Sequence, residues 1–197
     1  MKVVPIVSVL FLSLQTFAAS QPAKPVAIKI GASTVEFKAI GRPSALKVIG
    51  KGTGLEGALA LKGNVITGDL VFDLNGLGTG ISMRDEHMKK KYLETEKFPK
   101  AKLTILELRL PESAAKGDFV ATSVPFSGKL SLHGVEKQVE GKANVTRKGS
   151  SGTAEATFAT KITEYGIAVP SFSGITIADD VDIKVDTSGT FGENTAQ

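Results

Sequence analysis

Cysteine and tryptophan are both missing from this 197-residue chain, and histidine occurs only twice. Without cysteine there is no disulfide, no thiolate metal site, no thiol nucleophile and no acylated lipobox. Stability must then rest on packing and backbone hydrogen bonds. Long apolar runs are also missing beyond the first residues, because nothing after Leu14 approaches the ~20 apolar residues that a membrane helix needs. Charge of one sign is nowhere concentrated. The formal net charge is +4, and Lys89, Lys90 and Lys91 form the only basic run. A nucleic-acid surface wants a basic stripe with stacking aromatics, so no nucleic-acid partner is expected.

What is present begins with one cation, Lys2, followed by the apolar run Val3 to Leu14 and the small residues Thr16, Ala18 and Ala19. That is the plan of a secretory signal peptide rather than of a membrane anchor. Residues 1–19 are read as that signal and residues 20–197 as one domain of a soluble, exported protein, a length that suits a single core.

Most of the domain alternates apolar and polar residues with period two, the mark of strands with one buried face. Ile66, Gly68, Leu70, Phe72 and Leu74 share one face of a strand. Val35 goes with Phe37, and Leu55 with Leu59 and Leu61. In the second half Val124, Phe126, Gly128, Leu130 and Leu132 face one way, as do Ala154, Ala156 and Phe158, and then Val181, Ile183 and Val185. The stretch Ala101 to Leu110 is apolar on both faces, which points to a bulge or to cover on both sides. Turn residues separate the runs at Gly50 to Gly54, Gly63-Asn64, Gly76 to Gly80, Pro111 to Gly117, His133-Gly134 and Lys148 to Gly152. About eight antiparallel strands result, and closing them into a barrel removes the exposed edges of an open sheet. Gly57, Gly68, Gly128 and Gly141 fit coiled strands at barrel corners, and as small inward positions they would also leave part of the lumen unfilled.

One segment breaks the alternation. Ser82 reads as an N-cap with Asp85 as its capping-box partner, and Lys89 to Lys91 sit toward the C-terminal end, where cations suit the helix dipole. Met88 and Tyr92 lie four apart, giving this helix of Ser82 to about Leu93 an apolar stripe to lay beside a barrel opening.

Thr79, Gly80, Arg84, Asp85, His87, Met88, Phe98 and Pro99 lie in the stretch GTGISMRDEHMKKKYLETEKFP, and Leu130, His133, Gly134 and Lys137 in PFSGKLSLHGVEKQV. With Gly166 and the run Asp179 to Ile183 in YGIAVPSFSGITIADDVDIKVD, these three motifs resemble, in order, those of the YceI-like family. The family often opens with Asp-x-x-His-Ser-x-Val-x-Phe. Here Lys29 and Ala32 replace the acid and the histidine ahead of Ser33, Val35 and Phe37, which bears on the head group of a ligand and leaves the apolar interior untouched. The resemblance implies an all-β fold, an eight-stranded antiparallel lipocalin-like barrel with one short helix near an opening. It implies a periplasmic protein that holds a polyisoprenoid or other long-chain lipid, with no established catalytic set.

On that reading the residues expected to line an apolar lumen are Val35, Phe37, Leu59, Leu61, Leu70, Phe72, Leu103, Phe126, Leu130, Phe158 and Val185. The partner is a long-chain apolar lipid such as an isoprenoid or a fatty-acyl chain, no cofactor or metal is expected, and a homodimer across an opening is possible in this architecture. An enzyme would have to be built on His87 or His133. Glu86 and His87 are adjacent and would diverge by ~100° on a helix, and neither His-Glu-x-x-His nor Gly-x-Ser-x-Gly occurs. His87 is therefore expected to be a structural residue tied to a neighbouring loop, and His133 to make a turn hydrogen bond. A third reading, a protein-interaction module with an exposed strand edge, would require an open sheet.

Overall fold

Alternation along this chain becomes long antiparallel strands. The computed structural model describes residues 25–43, 46–172 and 175–192, so the expected signal segment lies outside the described residues. The strands are β1 (Val26–Arg42), β2 (Lys47–Thr53), β3 (Glu56–Lys62), β4 (Val65–Asp73), β5 (Lys100–Arg109), β6 (Phe119–Leu132), β7 (Val135–Lys148), β8 (Ser151–Lys161), β9 (Ser171–Phe172) and β10 (Ile175–Phe191). Each pairs with its sequence neighbour in turn from β3 to β8, then β8 with β10, and β10 returns to pair with β1.

β2 and β3 keep one register against β1, with Thr53 opposite Thr34 and Ala58 opposite Lys29. They act as two halves of one barrel strand, interrupted at Gly54 and Leu55, where the Leu55 N–H donates to Ser33 Oγ at 2.8 Å. With β9 only a two-residue addition to β10, the result is a closed eight-stranded antiparallel barrel with one short helix. Closure pairs the long strands on both sides, and β2, bonded to β1 and bridged at Lys51–Gly78, keeps a short edge along the wall.

The β1–β10 ladder shifts register twice, after Ile30 and after Ala39, and a bulge in each of β5 and β6 keeps the alternation in step with the interior. β5 gains an extra residue between Ile105 and Glu107 relative to β6, and Leu106 turns out to solvent while Leu103, Ile105, Leu108 and Leu110 stay buried. That resolves the doubly apolar stretch, as a bulge. β6 gains one between Ala121 and Val124, where Ser123 adopts a φ of 52° and its N–H donates to Asn144 Oδ1 at 2.8 Å. Nothing in the local pattern signals this second bulge.

The barrel is filled at one end. Where β1 begins and β10 finishes, Val26, Leu61, Leu110, Ala114, Phe119 and Phe191 are buried together. Phe119 meets Phe191 edge-on at 6.5 Å, and the Arg147 guanidinium covers the Phe191 ring at 4.6 Å. Nearer the middle, Phe126 stands edge-on to Phe158 at 6.1 Å, and Phe158 is the ring of this pair that faces what lies above.

The inward glycines serve close approach rather than hollowness. A Cβ on Gly57 would lie 2.2 Å from the carbonyl oxygen of Asp69, so β3 and β4 pack too tightly for any side chain there. At Gly141 the ring of Phe126 occupies the space a Cβ would need, at 2.6 Å. Gly57→Ala is therefore expected to cost about 1–3 kcal/mol by overpacking against backbone. Gly76→Ala, whose nearest atom would be 3.9 Å away, should stay within about 0.5 kcal/mol, both measured by chemical denaturation. Equal effects at the two sites would contradict the close-approach account.

Candidate ligand-binding site

Above the Phe126–Phe158 floor the packing stops. The open half of the barrel encloses a cavity of about 570 Å³, within the range of sites that bury a whole small ligand. The upper parts of β1, β4, β5, β6, β8 and β10 make its wall, and their inward residues are aliphatic or aromatic because alternation puts the polar ones outside.

Eight of the eleven residues expected in the lumen lie on this wall: Val35, Phe37, Leu70, Phe72, Leu103, Leu130, Phe158 and Val185. Phe37 and Phe72 are seated over glycines, since a Cβ on Gly50 or Gly52 would strike their rings. Leu59, Leu61 and Phe126 do not line the cavity. Leu61 is buried in the filled half, Phe126 lies beneath Phe158 against Gly141, and Leu59 packs over Gly68. Alternation reports which face a residue takes but not its depth along the barrel axis.

The helical segment stands at the mouth. α1 (Ser82–His87) passes directly into a π-helical turn, Met88–Tyr92, and Met88 and Tyr92 line the cavity with the stripe their spacing implies. The start of the helix is built differently from expectation. Ile81 occupies the N-cap and no side chain caps it, so Ser82 is merely the first helical residue. Asp85 turns back to Thr79, taking hydrogen bonds at one oxygen from the Thr79 N–H at 2.7 Å and from its hydroxyl. Arg84 completes the knot, with Nε donating to Thr79 Oγ1 at 2.7 Å and Nη2 to the Thr79 carbonyl at 3.0 Å. Burial pushes the Asp85 carboxyl up, but the two Thr79 hydrogen bonds, with Lys89 and Arg84 nearby, outweigh it and hold the group below the ordinary aspartate value.

His87 is exposed at the mouth and lines it, instead of being held by a neighbouring loop. His133 is the clamped histidine. Its Nδ1 faces the Tyr165 carbonyl at 3.1 Å, its Nε2 faces Glu94 Oε2 at 2.9 Å, and its ring lies 4.4 Å from Phe98. One side chain thereby ties the segment after the helix to the β6–β7 turn and to the Ile162–Tyr165 turn, whose Tyr165 is fully buried. His133 sits on a φ of 51°, and the ties on both ring nitrogens suit that conformation being held.

Several wall residues were not singled out from the sequence: Ile81, Met83, Ala101, Ile167, Ile175 and Ile177. The alternation of Ile175 and Ile177 extends that of Val181 to Val185 and was the available signal. The polar groups around the mouth are Thr79, Arg84, His87, Lys91, Thr160 and Ser171. Among the described residues no group of three His, Asp or Glu is placed to hold a metal ion, and no helix is long and apolar enough to cross a membrane.

Comparison with known proteins agrees with this geometry. The model of the YceI-like domain matches residues 27–188. Among solved structures, a polyisoprenoid-binding domain from Saccharophagus degradans implicated in plant cell wall breakdown superposes with a TM-score of 0.64 at 20% identity, covering 84% of this chain and 99% of that one. BcnA of Burkholderia cenocepacia gives 0.63 at 15% identity over 79% and 95% of the two chains. A Campylobacter jejuni YceI protein gives 0.58 at 14% identity over 76% and 88%. No curated protein matches by sequence.

The knot at Thr79 yields a test at the mouth. Ser82→Ala should leave stability within about 0.5 kcal/mol, because no cap is lost. Asp85→Ala should cost about 1–2 kcal/mol by stranding the Thr79 donors. Since the folded carboxyl titrates below its unfolded value, its contribution is fully present above the unfolded value near 4 and is lost as pH falls through the folded one. The gap between the parent protein and Asp85→Ala should therefore close on acidification; a gap that widened below pH ~4 would contradict the charged-acceptor account.

Proposed function

This chain belongs to the family of YceI-like domains, and on that premise we propose that it is a lipid-binding carrier, holding a polyisoprenoid or similar long-chain amphiphile with its tail in the open half of the barrel. The observation that carries this reading is the cavity itself: about 570 Å³ walled by aliphatic and aromatic side chains, with polar groups confined to the mouth. The similarity to a polyisoprenoid-binding domain supports it. The signal-like first residues support a periplasmic site of action, where a carrier moves a lipid that water would not dissolve.

Energetics favour the tail as the source of affinity. Burying ~20 carbons at ~0.8 kcal/mol each gives on the order of 16 kcal/mol gross before ordering costs. One head-group hydrogen bond adds about 1 kcal/mol net, somewhat more if charged. Selection among ligands would follow chain length and girth first. Arg84, His87 and Lys91 line the mouth three and four residues apart and offer donors, so they suit a head group rich in acceptor oxygens. The reading is one of binding: Glu86, neighbour of His87 at the mouth, is taken up by Lys90 at 2.9 Å rather than held toward the histidine.

A fluorescent polyprenyl or fatty-acyl probe should titrate to one per chain. Phe37→Glu and Phe72→Glu should each lower affinity by roughly a hundredfold or more, because a tail would desolvate the new carboxylate at a cost of several kcal/mol. Phe126→Glu should instead destabilise the fold, since that ring is buried and does not border the cavity. Circular dichroism and melting must accompany each titration. A folded Phe72→Glu protein that bound the probe normally would refute the apolar-channel mechanism.

A further inference from the structure

We propose that the open end of the barrel is a docking surface for a bilayer carrying anionic lipid, so that the cavity mouth meets the membrane directly. The inference goes beyond what the cavity holds and concerns what surrounds its entrance. Of the seven large hydrophobic residues left exposed among the described residues, five lie at this end. Ile40 is near the end of β1, Leu46 and Ile49 are at the start of β2, and Ile81 and Met83 flank the start of α1. Met83 is 65% exposed and Ile81 53%, yet both also line the cavity, as does Leu46. The apolar surface is therefore continuous from the outer rim into the interior. The backbone holds the pieces together, since the Gly41 N–H donates to the Leu46 carbonyl at 2.7 Å and the Lys51 and Gly78 backbones bond in both directions, at 2.8 and 2.9 Å, bringing the loop before α1 beside β2.

Charge at the rim says which surface fits. Three of the carboxylates near it are engaged: Glu86 with Lys90 at 2.9 Å, Asp182 with Lys38 at 3.5 Å, and Asp85 with Thr79. Arg42, Lys47 and Lys91 have no carboxylate in ion-pair distance among the described residues. Lys47 stands directly opposite Ile40 in the β1–β2 ladder, and Lys91 lies against Tyr92 at the mouth. Exposed aliphatics flanked by unpaired cations match the acyl-chain and head-group zones of an anionic bilayer, where aliphatics enter and cations stay at the phosphates. An acidic protein partner would answer the cations but not the continuity of rim and cavity, which only a source of free apolar chains exploits.

Vesicle flotation of the protein purified as it accumulates in the producing cell tests this. Phosphatidylglycerol vesicles should bind at least tenfold more tightly than phosphatidylcholine vesicles, and added salt should erase the difference. Ile81→Asp combined with Met83→Asp should weaken that binding at least tenfold, and Lys47→Gln about fivefold. Val120, 70% exposed on β6 away from the mouth, is the control, and Val120→Asp should bind vesicles normally. If the rim double variant loses its circular-dichroism signature, Ile49→Asp, at the same end but not among the residues lining the cavity, takes its place. No preference for phosphatidylglycerol, or equal loss in Val120→Asp, overturns the proposal. Titration of a monomeric fluorescent lipid without vesicles reads the cavity separately: lost probe binding with intact vesicle binding would remove the carrier reading and keep the docking surface, and the converse would overturn the docking surface alone.

Discussion

Closure of β1 onto β10 is the constraint from which the other features follow. These are the two longest strands, and their pairing runs from Ile28 opposite Phe191 to Arg42 opposite Thr176. With no cysteine available, only backbone ladders and packing can fix the circumference, and a ladder that meets itself satisfies its hydrogen bonds without exposing an edge. Once the ring is closed, inward and outward are set for every strand. Any extra residue must then be absorbed by a bulge, as at Leu106 and Ser123, or a whole strand segment would turn its apolar face to water.

A closed ring of this size can be filled by its own side chains or left partly open, and this chain does both. The filled half, around Phe119, Phe191, Leu61 and Leu110, supplies a core that needs no ligand. Phe126 and Phe158 divide the two regions, and Gly141 leaves the room the Phe126 ring takes, which a Cβ there would strike. Above it the wall residues bury one flank against the strands and turn the other toward the cavity.

Much of the architecture was legible from period two alone, because in a one-layer barrel each strand has one wet face and one dry one. Val35, Phe72 and Val185 could be placed on the inner face for that reason, and the doubly apolar run around Leu106 announced its bulge. What period two cannot carry is position along the barrel axis. Leu61 and Leu70 read alike in sequence, yet one sits in the filled half and the other on the cavity wall. The helix start misled for a different reason: Ser82 and Asp85 have the right types and spacing for a capping box, but Thr79 offers Asp85 two donors from outside the helix and wins. His133 could be read as a turn residue, but its ties to Glu94 and Tyr165 span separations of 39 and 32 residues that no local pattern encodes.

The mouth brings these strands of reasoning to one place. Thr79, Asp85 and Arg84 fix the helix start, and the clamp at His133 fixes the segments on the far side, so the entrance is framed by polar interactions that are satisfied locally. Apart from the donors that Arg84, His87 and Lys91 still offer a head group, these groups demand nothing from a ligand, which leaves the aliphatic side chains between them as the surface with the most to gain from contact. An amphiphile entering head-last would extend the core of the filled half upward through the floor's upper face, covering Leu70, Phe72 and Leu103 as another layer of side chains would. Such binding stabilises the folded state by mass action, in proportion to the logarithm of free ligand over its dissociation constant. On the proposed reading the barrel is most complete when its wall is covered by a lipid tail.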